Sequence, residues 1–233
     1  MILEVIATSV DDALLAQEHG ADRIELISGI MEGGITPSFG LIEQVVRSVN
    51  IPVQVMLRPH ANSFCYTEND LAVMSRDIQM IRDTGAAGIV LGALTPGKQP
   101  EIDIPAMRLL LSEARELAVT FHRAFDELKD QQAGLKLLAG FPNIKRVLTS
   151  GGKPSVLEAK QELSELVKQS ESMRIQILAG SGLTVETLDA FIQQTRVQEV
   201  HLGTGVRRNG RGLEPIDPDK LRMAAKIVSQ YNK

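Results

Sequence analysis

The feature that most restricts the fold is a recurrence: a short apolar run rich in β-branched residues, then a helical pattern, eight times along the chain. The runs are ILEVI (2–6), RIELI (23–27), VQVML (53–57), GIVLG (88–92), AVTFH (118–122), KRVLT (145–149), IQILA (175–179) and EVHLG (199–203). A strand that hands over to a helix comes back parallel to itself, so this order builds a parallel sheet with helical crossovers. Eight units within 233 residues predict an α/β chain folded as a closed (β/α)8 barrel, the TIM barrel, because such barrels run to about 250 residues as one unit. We read a single domain over residues 1–233, since no linker, low-complexity segment or charge block divides it. An open doubly wound sheet is the alternative. Against it, EVIATSVDD after the first run has no glycine and so no G-x-G-x-x-G turn.

Boundary residues agree with this division. Thr67 with Asp70 resembles a capping box, Thr184 opens the seventh helix, and Asp217-Pro218 supplies an N-cap followed by proline at the first helical position. Gly20, Gly85 and Gly140 stand where helices are expected to end.

Side chains alternate across a strand, so the two parities of each run report two environments. One parity is apolar: Leu3 and Val5, Ile24 and Leu26, Val53, Val55 and Leu57, Val119 and Phe121, Ile175 and Ile177, Val200 and Leu202. These should face the helices. The other carries Glu4, Arg23, Glu25, Gln54, Arg58, Thr120, His122, Arg146, Ser150, Gln176, Glu199 and His201, and in a barrel it points inward. Ionised groups inside need partners, because leaving one unpaired costs about 3–5 kcal/mol. Arg23, Gln54, Arg146, Gln176 and Glu199 come early in their strands and fit a structural network. Glu25, Arg58, His122, Ser150 and His201 come at the carboxyl ends, the face where barrels of this kind place their chemistry.

Three glycine-bearing loops follow strands six to eight: TSGGKPS (149–155), AGSGLT (179–184) and LGTGVRRNGRG (202–212). Glycine lets backbone N–H groups turn toward a ligand, and the loops after strands seven and eight commonly hold phosphate in this fold. Ser150, Gly151, Gly180, Ser181, Gly182, Gly203, Thr204 and Gly205 are the expected anion donors, with Arg207, Arg208 and Arg211 close by in sequence. Longer loops at 28–40 and 58–70 are candidates for a lid or an oligomer contact.

Composition closes off other classes. A net charge of −4, 25 scattered basic residues, no Trp and two Tyr offer neither the clustered cations nor the stacking platform that nucleic acid requires. No apolar run approaches the ~18 residues of a membrane span, and Glu4 interrupts what a secretory leader would keep apolar. We therefore expect a cytoplasmic protein without a membrane partner. Its one cysteine, Cys65, forms no intrachain disulfide and suits a reducing compartment.

Six stretches, GADRIEL, EGGITPSFG, RPHANSFCYTE, TFHRAFD, VLTSGG and EVHLGTG, occur in this order across nearly the whole chain and resemble the CutC family, named for copper homeostasis. The resemblance implies a cytoplasmic TIM barrel, a homo-oligomer (dimer or tetramer), and copper as the possible cofactor. Some members carry cysteines at the ends of strands one, two and eight; the matching positions here are Ile6, Ile27 and Leu202. Copper(I) prefers thiolate and thioether ligands, so a closed thiolate site is not expected in this chain. A weaker site from His122, His201, Glu25 and Cys65 stays open.

Two functions from different classes follow. The resemblance implies a copper-binding protein of copper homeostasis. The residues themselves point to a lyase or isomerase on a small phosphorylated or carboxylated metabolite. There His122 or Glu25, with His201, would exchange a proton, and Arg58 would stabilise oxyanion charge. A Schiff base is disfavoured, because no strand ends in lysine.

Overall fold

The computed structural model describes residues 1–232. In chain order the elements are β1 (Ile2–Ala7), α1 (Val10–Glu18), β2 (Arg23–Leu26), α2 (Phe39–Ser48), β3 (Val53–Met56), α3 (Glu68–Thr84), β4 (Gly88–Leu91) and α4 (Ile104–Ala114). They continue with β5 (Ala118–Phe121), α5 (Gln131–Ala139), β6 (Ile144–Thr149), α6 (Lys160–Ser170), β7 (Gln176–Gly180), α7 (Val185–Thr195), β8 (Glu199–Leu202) and α8 (Pro218–Ser229). Every neighbouring pair of strands is parallel, and β8 pairs with β1 to close an eight-stranded barrel. The expected (β/α)8 fold is therefore the one observed. No helix among the described residues is long and apolar enough to cross a membrane.

Local chemistry sets the helix ends largely as expected. Thr67 and Asp70 form the reciprocal cap of α3, with Asp70 N donating to Thr67 Oγ1 and Thr67 N to the Asp70 carboxylate. Asp217 accepts from Asp219 N and Lys220 N at the start of α8, and Thr184 N donates to Thr187 Oγ1 ahead of α7. Gly85 ends α3 at φ 83°, a left-handed conformation that glycine adopts without strain. Gly140 differs from expectation: it caps α5 at φ −73°, so a side chain would be tolerated by its backbone. Gly20 lies one residue beyond the α1 cap, His19.

The outward parity is buried under the helices, with Leu3, Val5, Ile24, Leu26, Val55, Val119, Phe121, Ile177, Val200 and Leu202 all in the main core. That apolar layer is the chief stabilising term, since each large aliphatic side chain removed from water contributes about 1.5–3 kcal/mol. Inside, two layers differ. The lower holds an ion network: Arg23 bonds Glu4 through Nε and Glu199 through Nη2. Arg146 Nε reaches Glu199 at 3.1 Å and its Nη1 reaches Thr120 Oγ1 at 3.1 Å. Gly88, facing inward on β4, leaves room for Gln54; a Cβ there would lie 2.2 Å from Gln54 Oε1.

Two sequence expectations need correction. Gln176, assigned to the interior network, is exposed, because the first residue of β7 sits at the open lower end where water serves the amide. The interior is also less uniformly polar than the parity suggested. Ile27, Met56 and Val90, with Ile6 and Ile30 against them, form a second apolar cluster separate from the main core. It gives the upper barrel one dry side.

Candidate functional site

A cavity of about 830 Å³ opens at the carboxyl ends of the strands, with Glu25, Arg58, His122 and His201 all in its wall. The four side chains named from sequence as catalytic are thus brought to one place, each buried, at 2%, 7%, 3% and 6% exposure. Ile6, Ile27, Ile30, Met56, Leu148 and Leu183 contribute to the apolar part of the wall.

Glu25 and His201 form one unit with a residue from the layer below. His201 Nδ1 contacts Glu4 Oε1 at 2.8 Å, and its Nε2 lies 3.7 Å from Glu25 Oε2. Glu4 is in turn held by Arg23, so a chain of alternating charge runs from the barrel interior to the cavity. Burial alone would raise the Glu4 pKa; the Arg23 guanidinium and the His201 contacts outweigh it and bring the carboxyl down to about 2. Burial pushes Glu25 up to about 7, and the Glu4 charge adds to the push against the attraction of His201 and Arg23. For His201 burial acts downward, but Glu25 and Glu4 win and its pKa is raised. Glu25 Oε1 has no hydrogen-bond partner among the described residues.

The opposite wall is built from β3, β5 and their loops. Arg58 donates from Nη1 to the carbonyls of Glu32 and Gly34, at 3.0 and 3.2 Å, and from Nη2 to that of Ala61 at 3.2 Å. It thereby ties the 28–40 and 58–70 loops together. Phe64 packs between Arg58, 4.7 Å from its ring centroid, and His122, also 4.7 Å away. His122 accepts from Ala124 N at Nδ1. Burial and then the Arg58 charge drive its pKa down to about 3, so the imidazole is neutral at ordinary pH.

The expected anion donors divide. Ser181, Gly182, Gly203 and Thr204 line the cavity, and Ser181 holds φ 90° while its Oγ donates to Pro154 O. A non-glycine residue kept at such an angle needs its surroundings to fix it. The other four do not reach the cavity wall. Ser150 N and Oγ both donate to the Asp126 carboxylate, so Asp126 already fills the loop after β6. Gly151 packs against Ala159, where a Cβ would approach to 2.6 Å; Gly180 leaves room for His201, 3.0 Å from a Cβ; Gly205 passes Leu183 O, 2.0 Å from one. Arg207, expected beside the anion, is spent on Asp12 and on the carbonyls of Ile6 and Glu214.

Sequence reasoning left out Glu4 as the partner of His201, and Arg123, Asp126 and Lys153, which also line the cavity. The TFHRAFD stretch did signal the second group: after β5 it turns into a short 3-10 helix, Arg123–Glu127, that carries its charges to the rim. Of the positions matching cysteines in some relatives, Ile6 and Ile27 face the cavity whereas Leu202 lies in the outer core. Cys65 is half-buried against that core and is not in the wall. Glu4, Glu25 and His201 have ligand atoms within 4.8 Å of one another and could hold a metal ion.

Comparisons agree with this architecture. A CutC family model matches residues 1–206. A CutC family protein of Yersinia pestis (strain Pestoides F) is 42% identical over 204 residues, covering 87% of this chain and 78% of that protein. One from Pasteurella multocida (strain Pm70) is 40% identical over 208 residues, covering 89% and 84%. The crystal structure of the putative copper homeostasis protein CutC from Streptococcus agalactiae superposes with a TM-score of 0.79 at 31% identity, covering 86% of this chain and 98% of that one. Phosphoribosyl anthranilate isomerase from Thermococcus kodakaraensis, at 15% identity and a TM-score of 0.64 over 97% of this chain and 98% of that one, shares the fold alone. The chain belongs to the CutC family.

Proposed function

We propose that this CutC-family barrel binds a small molecule bearing a carboxylate or phosphate at its carboxyl-end cavity, and acts on it as a lyase or isomerase. The observation that carries this reading is Arg58. It is a guanidinium only 7% exposed, bonded to backbone carbonyls, with no carboxylate within 4.0 Å among the described residues. A buried cation without a counter-ion is costly, and an anionic ligand removes that cost. Across the cavity, Glu25 titrates at about 7, the range in which a carboxylate serves best as a base at neutral pH. In the step we envisage, Glu25 takes a proton from a carbon next to a carbonyl and the electron pair moves to that oxygen. In an isomerisation the hydroxyl on the deprotonated carbon then passes its proton to that oxygen and becomes the new carbonyl as Glu25 returns its proton to the former carbonyl carbon; in an elimination the electron pair returns from the oxygen and expels an oxygen group from the next carbon, which leaves with the proton held by Glu25. His201 balances the charge on Glu25 throughout.

The test is what the purified chain retains. We expect mass spectrometry to find a phosphorylated or carboxylated compound with the wild type, and at least ten-fold less of it with Arg58→Met. Wild-type protein that carries no anionic compound, and binds none from a metabolite extract, would remove this reading.

Copper handling is the second reading, favoured by the name of the Streptococcus agalactiae protein and by the Glu4, Glu25 and His201 cluster. The donors do not fit copper(I). They are two carboxylates and one imidazole, Glu4 is already committed to Arg23 and His201, and the cavity wall offers sulfur through Met56 alone. Soft ligands are what copper(I) selects. In competition titrations, a chelator of about micromolar affinity should strip added copper(I) completely, and Cys65→Ser should change nothing. Retention of one full equivalent, lost on Cys65→Ser, would reinstate copper.

A further inference from the structure

We infer that His122 is a fixed hydrogen-bond donor to the ligand, giving Nε2–H to a carbonyl or carboxylate oxygen and so selecting compounds with such an oxygen on the β5 side of the cavity. This rests on the small-molecule reading above and narrows its substrate class to compounds with an oxygen on the carbon beside the one that exchanges a proton.

The tautomer follows from one contact. His122 Nδ1 accepts the Ala124 N–H at 3.2 Å, which requires a lone pair on Nδ1; in a neutral imidazole the proton then sits on Nε2. Neutrality has a structural cause, because the ring is 3% exposed and packs on Phe64, which also carries the Arg58 guanidinium. No carboxylate among the described residues pairs with it. Nε2 has no acceptor in the protein and is covered from solvent. A buried N–H without a partner is uncommon enough to call for an explanation.

Two other atoms in the same wall share that state: Arg58 Nε, a second donor, and Glu25 Oε1, an acceptor. Two unpartnered donors and one unpartnered titratable acceptor, on residues of one cavity wall, complement an oxygen that gains charge while a neighbouring carbon or hydroxyl gives up a proton. A neutral imidazole suits the first task, since it can polarise the oxygen without handing over its own proton. Phe64 packs against the ring, with centroids 4.7 Å apart and the planes tilted by 49°.

Oxalate, a planar dicarboxylate, is the probe for this contact, and inorganic phosphate is the control. With 15N-labelled histidine, NMR should show His122 protonated at Nε2 and uncharged from about pH 5 to about pH 8, and oxalate should shift Nε2 saturably. His122→Phe should weaken oxalate binding at least ten-fold, and His122→Gln, which keeps an N–H near the same place, by less than about three-fold, with phosphate affinity unchanged in both. An Nδ1-protonated ring, a wild type that binds no oxalate, or undiminished oxalate binding by His122→Phe overturns the assignment. Phosphate bound with oxalate refused would sink this inference while leaving the anion reading intact.

Discussion

Replacing Arg23 with methionine is expected to lower folding stability by about 3–5 kcal/mol, the loss usual for breaking a buried ion pair from one side. Arg23 is 6% exposed and bonds two carboxylates at once, Glu4 and Glu199. Without it Glu199 keeps Arg146, but Glu4, fully buried, keeps only a histidine. Denaturant unfolding of both chains at neutral pH measures the difference, and a loss below about 1 kcal/mol would refute the network's role. The effect should depend on pH in a definite sense. Glu4 titrates at about 2 rather than 4.5, so its pairing stabilises the fold above pH 4.5 and ceases to do so as pH falls through about 2. The deficit of Arg23→Met should therefore shrink in acid.

Glu25→Gln is expected to lower proton exchange between the retained compound and deuterated water by about 10²–10⁴-fold, the usual contribution of a positioned base. A rate within about three-fold of wild type would take Glu25 out of the chemistry. The same variant should change the pH profile of stability. With its pKa raised from 4.5 to about 7, Glu25 favours the folded state below pH 4.5 and loses that benefit as pH rises through about 7. Glutamine has no proton to lose. The variant should therefore be more stable relative to wild type at about pH 8 than at about pH 4, because wild type alone must hold a buried carboxylate there.

The fold was readable because a barrel repeats one rule. Strands alternate every second residue, and the outward positions from Leu3 to Leu202 stay apolar except in β6, where Lys145 and Thr149 share the parity of Val147. Strand ends follow too, since polar residues from separate strands gather at the mouth. Contacts between distant residues were not readable. Glu4 and His201 are 197 residues apart and meet only because β8 pairs with β1 in a register that sets Glu4 opposite His201. Parity told which side each faced, but not which neighbour it met. The loop after β6 shows the same limit: its glycines suggested an anion site, and the anion turned out to be Asp126, from the segment after β5. Gln176 failed for another reason, since alternation cannot say whether the end of a barrel is covered.

Asp126 has a consequence for how anything can lie in the mouth. Its carboxylate accepts from Ser150 N, Gly152 N, Ser150 Oγ and Arg123 Nε, so the donors of that loop are already taken. An incoming anion must settle elsewhere, toward the β7 and β8 loops or toward Arg58. A molecule charged at one end is thereby oriented before it reacts, and turning it end for end would leave its charge facing donors that Asp126 already holds.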